Sequence, residues 1–253
     1  MSLSRFLYYV FCTALVLLAV TSCGGSKAVV QEQEETYDPE VSLARADKLV
    51  GDKDYEGARK VLLEVKNRDA KKKYSPLAQL KYADTYLKEG ETDLAVAEYK
   101  KFIEHYPDNP QASYAQYQIA MAYFGQIEAP DRGSGAAHKA LAEFIRLKQL
   151  YPRNPYRDVV ELRIEKCKNI IADGEFLVGE FYFKKGSYSA ALGRLERLLK
   201  EFPDYKRADE ALLLIGRSYR ALKQEEKARE AFTVLVEKYP SSKFTADARK
   251  GLR

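Results

Sequence analysis

The chain has 253 residues, with 42 lysines and arginines against 37 aspartates and glutamates, a net charge of +5 at neutral pH. So small an excess argues against a nucleic-acid partner, which bulk electrostatics would have to hold. Two histidines and three cysteines supply too few ligands and proton carriers for a metal site, an acid–base pair or a disulfide framework.

Residues 1–22 read as a targeting segment. Arg5 is their only charge, and Phe6 to Val20 is a predominantly apolar run too short to span a bilayer. Val20-Thr21-Ser22-Cys23 follows, with Gly24-Gly25-Ser26 behind it. These residues resemble a bacterial lipobox with Val20 in place of the commoner leucine. The resemblance implies cleavage before Cys23 and covalent lipid on its sulfur and new amino terminus; no other cofactor is expected. Several acyl chains, each buried CH2 adding about 0.8 kcal/mol, hold such a protein on a membrane. Gly24 stands where an aspartate commonly signals retention in the inner membrane, so the expected address is the periplasmic face of the outer membrane. Loss of the signal removes one basic residue and leaves 41 minus 37, or +4. Residues 23–38 contain Gln31-Glu32-Gln33-Glu34-Glu35 and little apolar content, which predicts a flexible tether.

A repeat fills residues 39–253. Ala95, Ala140, Ala191 and Ala228 each have an aromatic-proline pair ending twelve residues on, at Tyr106-Pro107, Tyr151-Pro152, Phe202-Pro203 and Tyr239-Pro240. Each alanine has a large apolar residue four later (Tyr99, Phe144, Leu195, Phe232) and another three beyond that (Phe102, Leu147, Leu198, Leu235). This is one apolar helix face ended by proline. A preceding helix carries a small residue three before a tyrosine, at Ala83/Tyr86, Ala120/Tyr123, Gly179/Tyr182 and Gly216/Tyr219. A looser first copy runs through Ala46, Leu49, Ala58 and Leu62, with Ala70 where proline would stand. After it, Lys71-Lys72-Lys73 reads as a solvated turn.

The irregularities carry information. From Tyr123 to Ala140 there are seventeen residues where other copies have nine, so eight are inserted in one turn, including Asp131-Arg132. From Pro152 to Pro203 the spacing is 51, about seventeen more than a 34-residue unit. No proline lies between Pro155 and Gly186, and Tyr156, Val160, Ile164, Cys167, Ile171, Gly174, Val178 and Tyr182 step by three or four. That predicts one long helix over 155–185 joining an amino-terminal half, 39–152, to a carboxy-terminal half, 175–253. Cys167 lies on its seam and reads as a buried apolar residue. At the end, Ser241-Ser242 is positioned to cap a last helix through Phe244, Ala248 and Leu252.

These recurring positions resemble the tetratricopeptide repeat. The resemblance implies an all-α solenoid of about five helix-turn-helix units with a concave surface lined by first helices. Counting from the repeat tyrosine, concave positions are Leu77, Leu80, Asp84 and Leu87 in one unit and Tyr114, Tyr117, Met121 and Phe124 in the next. Two readings of that apolar, aromatic wall stand open: a peptide groove, or side chains packed under the insert or the next helix. In the last unit the same positions are Glu210, Leu213, Arg217 and Arg220, a charged wall. No nucleophile–base pair or phosphate-binding loop occurs, and no enzymatic activity is expected.

The lipobox, acidic tether, five repeats, insert with Asp131-Arg132, and the runs Tyr151-Pro-Arg-Asn-Pro-Tyr156 and Gly186-Ser-Tyr188-Ser-Ala-Ala191-Leu-Gly-Arg194 together resemble the BamD family of outer-membrane β-barrel assembly lipoproteins. The family usually has an acid after Asp131-Arg132, where this chain has Gly133. The resemblance implies a non-enzymatic scaffold whose carboxy-terminal repeats bind a POTRA domain of BamA and whose amino-terminal repeats receive peptides of unfolded outer-membrane proteins, alongside other assembly-machine lipoproteins. Arg194 matches the family arginine that pairs with an acid of BamA. A repeat lipoprotein of another envelope machine, such as a pilus secretin pilotin, would share tether and solenoid but has no reason for the insert and long helix.

Overall fold

The computed structural model describes residues 37–132 and 134–253, and every regular element among them is helical. Cys23, the targeting segment and nearly all of the tether lie outside the described residues. Among the described residues eleven α-helices follow one another. Helices α1 (Pro39–Gly51) and α2 (Tyr55–Arg68), α3 (Ser75–Glu89) and α4 (Thr92–His105), and α5 (Ala112–Gly125) and α6 (Gly135–Leu150) form three hairpins. Then α7 (Arg157–Lys184) pairs with α8 (Tyr188–Glu201), α9 (Ala208–Ala221) with α10 (Glu225–Lys238), and α11 (Thr245–Gly251) closes the array. Each helix packs on its neighbours in sequence, as a tetratricopeptide solenoid requires. No described helix is long and apolar enough to cross a membrane.

The packing explains the repeat. Ala58, Ala95, Ala140, Ala191 and Ala228 are all 0 % exposed. The residues four and seven later, from Leu62 and Val65 in the first unit to Phe232 and Leu235 in the last, are equally buried. The small residue of each first helix faces the bulky residue of the second. A Cβ on Gly179 would lie 2.6 Å from Leu195 Cδ2, and one on Gly216 would lie 2.4 Å from Phe232 Cε1. A Cβ on Gly251 of α11 would lie 2.6 Å from Cε2 on the other edge of the same Phe232 ring.

Within four of the five hairpins one chain reversal recurs. The carbonyl of the repeat tyrosine, or of Leu49 in its place, accepts a bond from the N–H five residues on: Asp54 to Leu49, Glu91 to Tyr86, Ser187 to Tyr182 and Gln224 to Tyr219, at 2.8–2.9 Å. The residue just before that donor is left-handed, φ 62° at Lys53, 90° at Gly90, 75° at Gly186 and 61° at Lys223. Between hairpins, Tyr106, Tyr151, Phe202 and Tyr239 leave the helix with φ near −130° and ψ of 57–72°, outside the helical region that a following proline disfavours.

The hairpin of α5 and α6 lacks that reversal because the insert occupies its turn. There the chain forms a 3-10 turn at Pro130–Arg132 that lies against α7, with the Pro130 carbonyl 3.5 Å from where a Gly174 Cβ would be. Helix α7 has 28 residues, about 42 Å of length. Its first half packs Val160, Ile164 and Cys167 against Phe144 and Leu147 of α6. Its second half packs Ala172 and Phe176 against Leu192, Leu195 and Leu198 of α8. Cys167 is fully buried, and burial pushes its thiol up to about 11.

The last helix starts later than its serines predict. Phe244 is the N-cap and has no side-chain cap bond. Ser242 instead turns the chain, its Oγ accepting the Phe244 N–H at 3.1 Å and donating to Asp209 at 2.6 Å. That bond ties α11 to α9 rather than to its own first turn.

Two glycines in helix interiors therefore have opposite expected behaviour. Gly216→Ala should destabilise by about 1–3 kcal/mol, because its methyl collides with a ring held on two sides. Gly193→Ala in α8, with nothing within 4 Å, should stabilise by about 0.5–1 kcal/mol. Urea denaturation of both variants reads the pair; two shifts of the same sign would contradict the packing described.

Candidate partner-binding surfaces

The amino-terminal wall is only partly a surface. Leu80 is 2 % exposed and belongs to the core between α3, α4 and α5, which corrects its assignment to a groove. Asp84 also turns inward. Its Oδ1 accepts hydrogen bonds from the Tyr99 hydroxyl and, at 3.0 Å, from the Tyr114 hydroxyl. Burial raises the Asp84 carboxyl above its ordinary value, and the two hydroxyls with Lys81 and Lys88 offset that only in part. Burial and the Asp84 charge likewise push Tyr114 up to about 12. Leu87 is half-buried on the same cluster.

One unit along, the wall is covered by the long helix and its lead-in. The Tyr117 ring stacks on Tyr156, centroids 4.2 Å apart and planes 12° from parallel. Phe124 meets Phe144 edge-on and lies under the Arg163 guanidinium at 4.6 Å. Met121 packs in the same cluster. Of the two sequence readings, packing under a later helix describes most of the area of Tyr117 and Phe124. Tyr114, Tyr117, Met121 and Phe124 each keep a partly exposed edge. The charged wall of the last unit is also engaged within the chain: Arg217 bonds Asp247 at 2.8 Å, Glu210 bonds Arg207 at 2.9 Å, and Arg220 bonds the Gly251 carbonyl.

The carboxy-terminal surface brings together residues that sequence spacing left apart. Arg194 of α8 reaches Glu175 of α7, Nη1 to Oε2 at 3.1 Å, and Arg197 reaches the same oxygen through Nη2 at 2.8 Å. Burial raises the Glu175 carboxyl, but the hydrogen bonds and charges of Arg197 and Arg194 outweigh it and hold the group below its ordinary range. Two guanidiniums share one carboxylate. Arg197 also lies 4.0 Å from Glu201, so the charges of the cluster balance, while each half-exposed guanidinium has more N–H donors than Glu175 can accept.

Beside it lies a cleft of about 520 Å³ lined by Pro130, Ser134, Gly174, Glu175, Val178 and Phe181, among others. Phe181 is 54 % exposed. Thus the insert, the apolar edge of α7 and the arginine pair share one face. Arg132 is exposed and 3.8 Å from Glu128; of Asp131 the structure describes only its place in the 3-10 turn, and Gly133 lies outside the described residues. Sequence reading missed Glu175, Arg197, Val178 and Phe181 as parts of this face. The helical phase of Glu175, Val178 and Phe181 on α7 is the signal that could have found them.

Comparison with known proteins gives a consistent kinship. The family model described as YfiO, outer membrane lipoprotein, matches residues 38–231. The outer membrane protein assembly factor BamD of Caulobacter vibrioides is 31 % identical over 154 residues, covering 61 % of this chain and half the length of that relative. BamD of Neisseria meningitidis serogroup A is 25 % identical over 91 % of both chains, and BamD of Pasteurella multocida 27 % identical over 88 % of this chain and 87 % of the relative.

The buried acid at Asp84 yields a pH test. Its carboxyl titrates above 3.8 in the folded chain, so folding favours the neutral form, and stability falls as pH rises from the unfolded value through the folded one. Asp84→Asn keeps an acceptor oxygen for both tyrosines and removes the charge. The variant should gain stability relative to the parent as pH is raised through that window, and the gain should be constant at higher pH. Denaturant melts from pH 3.5 to 7 measure it; a gain that shrinks on raising pH would reverse the assigned cause.

Proposed function

The chain belongs to the YfiO outer membrane lipoprotein family, and from that premise we propose that it is a non-enzymatic scaffold of an outer-membrane β-barrel assembly machine. In this reading the carboxy-terminal repeats hold a POTRA domain of a BamA-type protein. The observation that carries it is the Arg194–Glu175–Arg197 cluster beside exposed Phe181. A partner carboxylate can take either guanidinium in a two-bond fork while Glu175 keeps the other. Apolar partner area then covers Val178 and Phe181 next to a satisfied charge. A solenoid built of stacked hairpins suits this use because its surface is stiff before the partner arrives.

The amino-terminal repeats receive peptides of unfolded outer-membrane proteins, through the exposed edges of Tyr114, Tyr117, Met121 and Phe124. Aromatic and thioether side chains there suit an apolar or aromatic peptide end. The Tyr117–Tyr156 stack narrows this surface to an edge, so recognition is shallow and tolerant of sequence. Lipid on Cys23 places the scaffold at the periplasmic face of the outer membrane, in company with other assembly-machine lipoproteins. Replacing Cys23 by alanine should move the protein to the soluble periplasmic fraction or leave it as unprocessed precursor, and membrane fractionation decides it.

Arg194→Glu should lower co-purification of the BamA-type barrel from mildly solubilised membranes at least tenfold while helix content by circular dichroism is unchanged. The same variant should still crosslink substrate peptides through a photoreactive residue at position 117. Undiminished capture of the barrel removes Arg194 from the interface. Absence of peptide crosslinks at position 117 removes the amino-terminal surface from substrate contact.

A further inference from the structure

A second surface follows from the length of α7. The chain between Pro152 and Pro203 exceeds a 34-residue unit by about half a repeat. The extra half is a first helix without a second. The opening half of α7 buries Val160, Ile164 and Cys167 on α6, while no helix among the described residues covers the exposed Asp158, Glu161, Leu162 and Glu165. That face and the Phe202–Tyr205 loop border a groove of about 640 Å³. Its lining runs along α7 from Asp158 to Ala172, fifteen residues or about 21 Å. This is the length of one repeat helix.

The groove has a defined chemistry. Leu162 on the α7 side is 67 % exposed, and Phe202 and Pro203 also line the groove. Around them stand Asp158, Glu161, Glu165, Glu201 and Asp204 against the single cation Lys168. The lining itself is acidic, five acids to one base, although three of the acids have a cation just outside it. Glu161 pairs with Lys148 at 2.5 Å, and Asp158 and Glu201 have arginines at 3.7 and 4.0 Å. Glu165 and Asp204 make no ion pair among the described residues. The loop wall is preformed, because the Tyr205 hydroxyl and the Lys206 ammonium both bond Asp173 of α7 at 2.8 Å.

We infer that this groove docks a basic amphipathic helical segment of a partner protein, seated where the missing second helix would lie. Its apolar stripe covers Leu162 and Phe202, and its lysines or arginines meet Glu165 and Asp204. The chain's own tether does not fit, since residues 24–36 carry Glu32, Glu34 and Glu35 against Lys27. The groove meets the Arg194 cluster through Glu201, 4.0 Å from Arg197, but its docking acids Glu165 and Asp204 form no ion pair with either arginine, so either assignment can fail without the other.

The test uses the mature chain and a fluorescent fourteen-residue peptide of leucines at i, i+3, i+4 spacing with lysines between them. A control peptide carries glutamates in place of the lysines. Saturable one-to-one binding is expected in 0.15 M salt, with a benzoylphenylalanine at position 162 crosslinking the lysine peptide. The Glu165→Lys/Asp204→Lys double variant and Leu162→Ser should each weaken binding at least tenfold, with unchanged circular dichroism because all three side chains are solvent-facing. Arg194→Glu should bind as the parent does. The inference is overturned if the charge-reversed variant keeps its affinity, if the glutamate peptide binds equally, if crosslinks from position 162 are not formed, or if the face instead joins two copies of this chain in a dimer that Leu162→Ser dissolves.

Discussion

A methyl group with no room around it sets the geometry of this molecule. Where the two helices of a hairpin cross, one supplies Ala58, Ala95, Ala140, Ala191 or Ala228, none with any exposed surface. One turn later the same helix inserts a large side chain over a glycine or alanine of its partner. Small against large at successive contacts fixes the separation and rotation of the pair, and interiors packed at crystal-like density tolerate no other pairing. Once each hairpin has a fixed shape, stacking identical hairpins leaves little choice in the superhelix. Turn geometry follows from the same constraint. The left-handed residue in four hairpins is a glycine twice and a lysine twice, so the packed helices, and not the turn residue, dictate the reversal.

Regular repeats satisfy one another, and the places that break the rule are left with something unsatisfied. The eight-residue insert cannot use the common reversal and lies instead on α7 near Gly174, next to Glu175 and its two arginines. The half repeat in α7 has no second helix of its own among the described residues and leaves Leu162 in solvent. Both candidate surfaces along α7 thus originate in departures from periodicity, whereas most of the periodic residues are consumed by the core. This division is the reason a repeat protein can keep a common frame and still be particular about what it holds.

Much of this frame is legible in the chain itself. The alanine, the aromatic-proline pair and the small residue before tyrosine each have one physical job, so their spacing predicts hairpins, and the unbroken apolar seam from Val160 to Tyr182 predicts the long helix. The surfaces are less legible. Phase arithmetic places Leu80 and Tyr117 on a face but is blind to what arrives later in the chain, and it is Tyr156 and Arg163, some forty residues on, that cover Tyr117 and Phe124. Arg194 is conspicuous only through family resemblance. Its bond to Glu175 depends on the angle between α7 and α8, which no local pattern encodes. Ser242 has the composition of a cap and serves as a tether to Asp209, because a serine beside a turn has several acceptors within reach.

Sharing of α7 between two clusters also bears on how the array comes apart. In a linear stack, each junction between units is a seam at which the two sides can melt separately, since stability is a sum of unit and nearest-neighbour terms. Here the middle seam is bridged by a continuous backbone ladder of 28 residues whose two halves are buried in different clusters. Opening one side would strip apolar cover from half of a helix that the other side still requires, so the centre is the most cooperative region and fraying starts at α1 and α11.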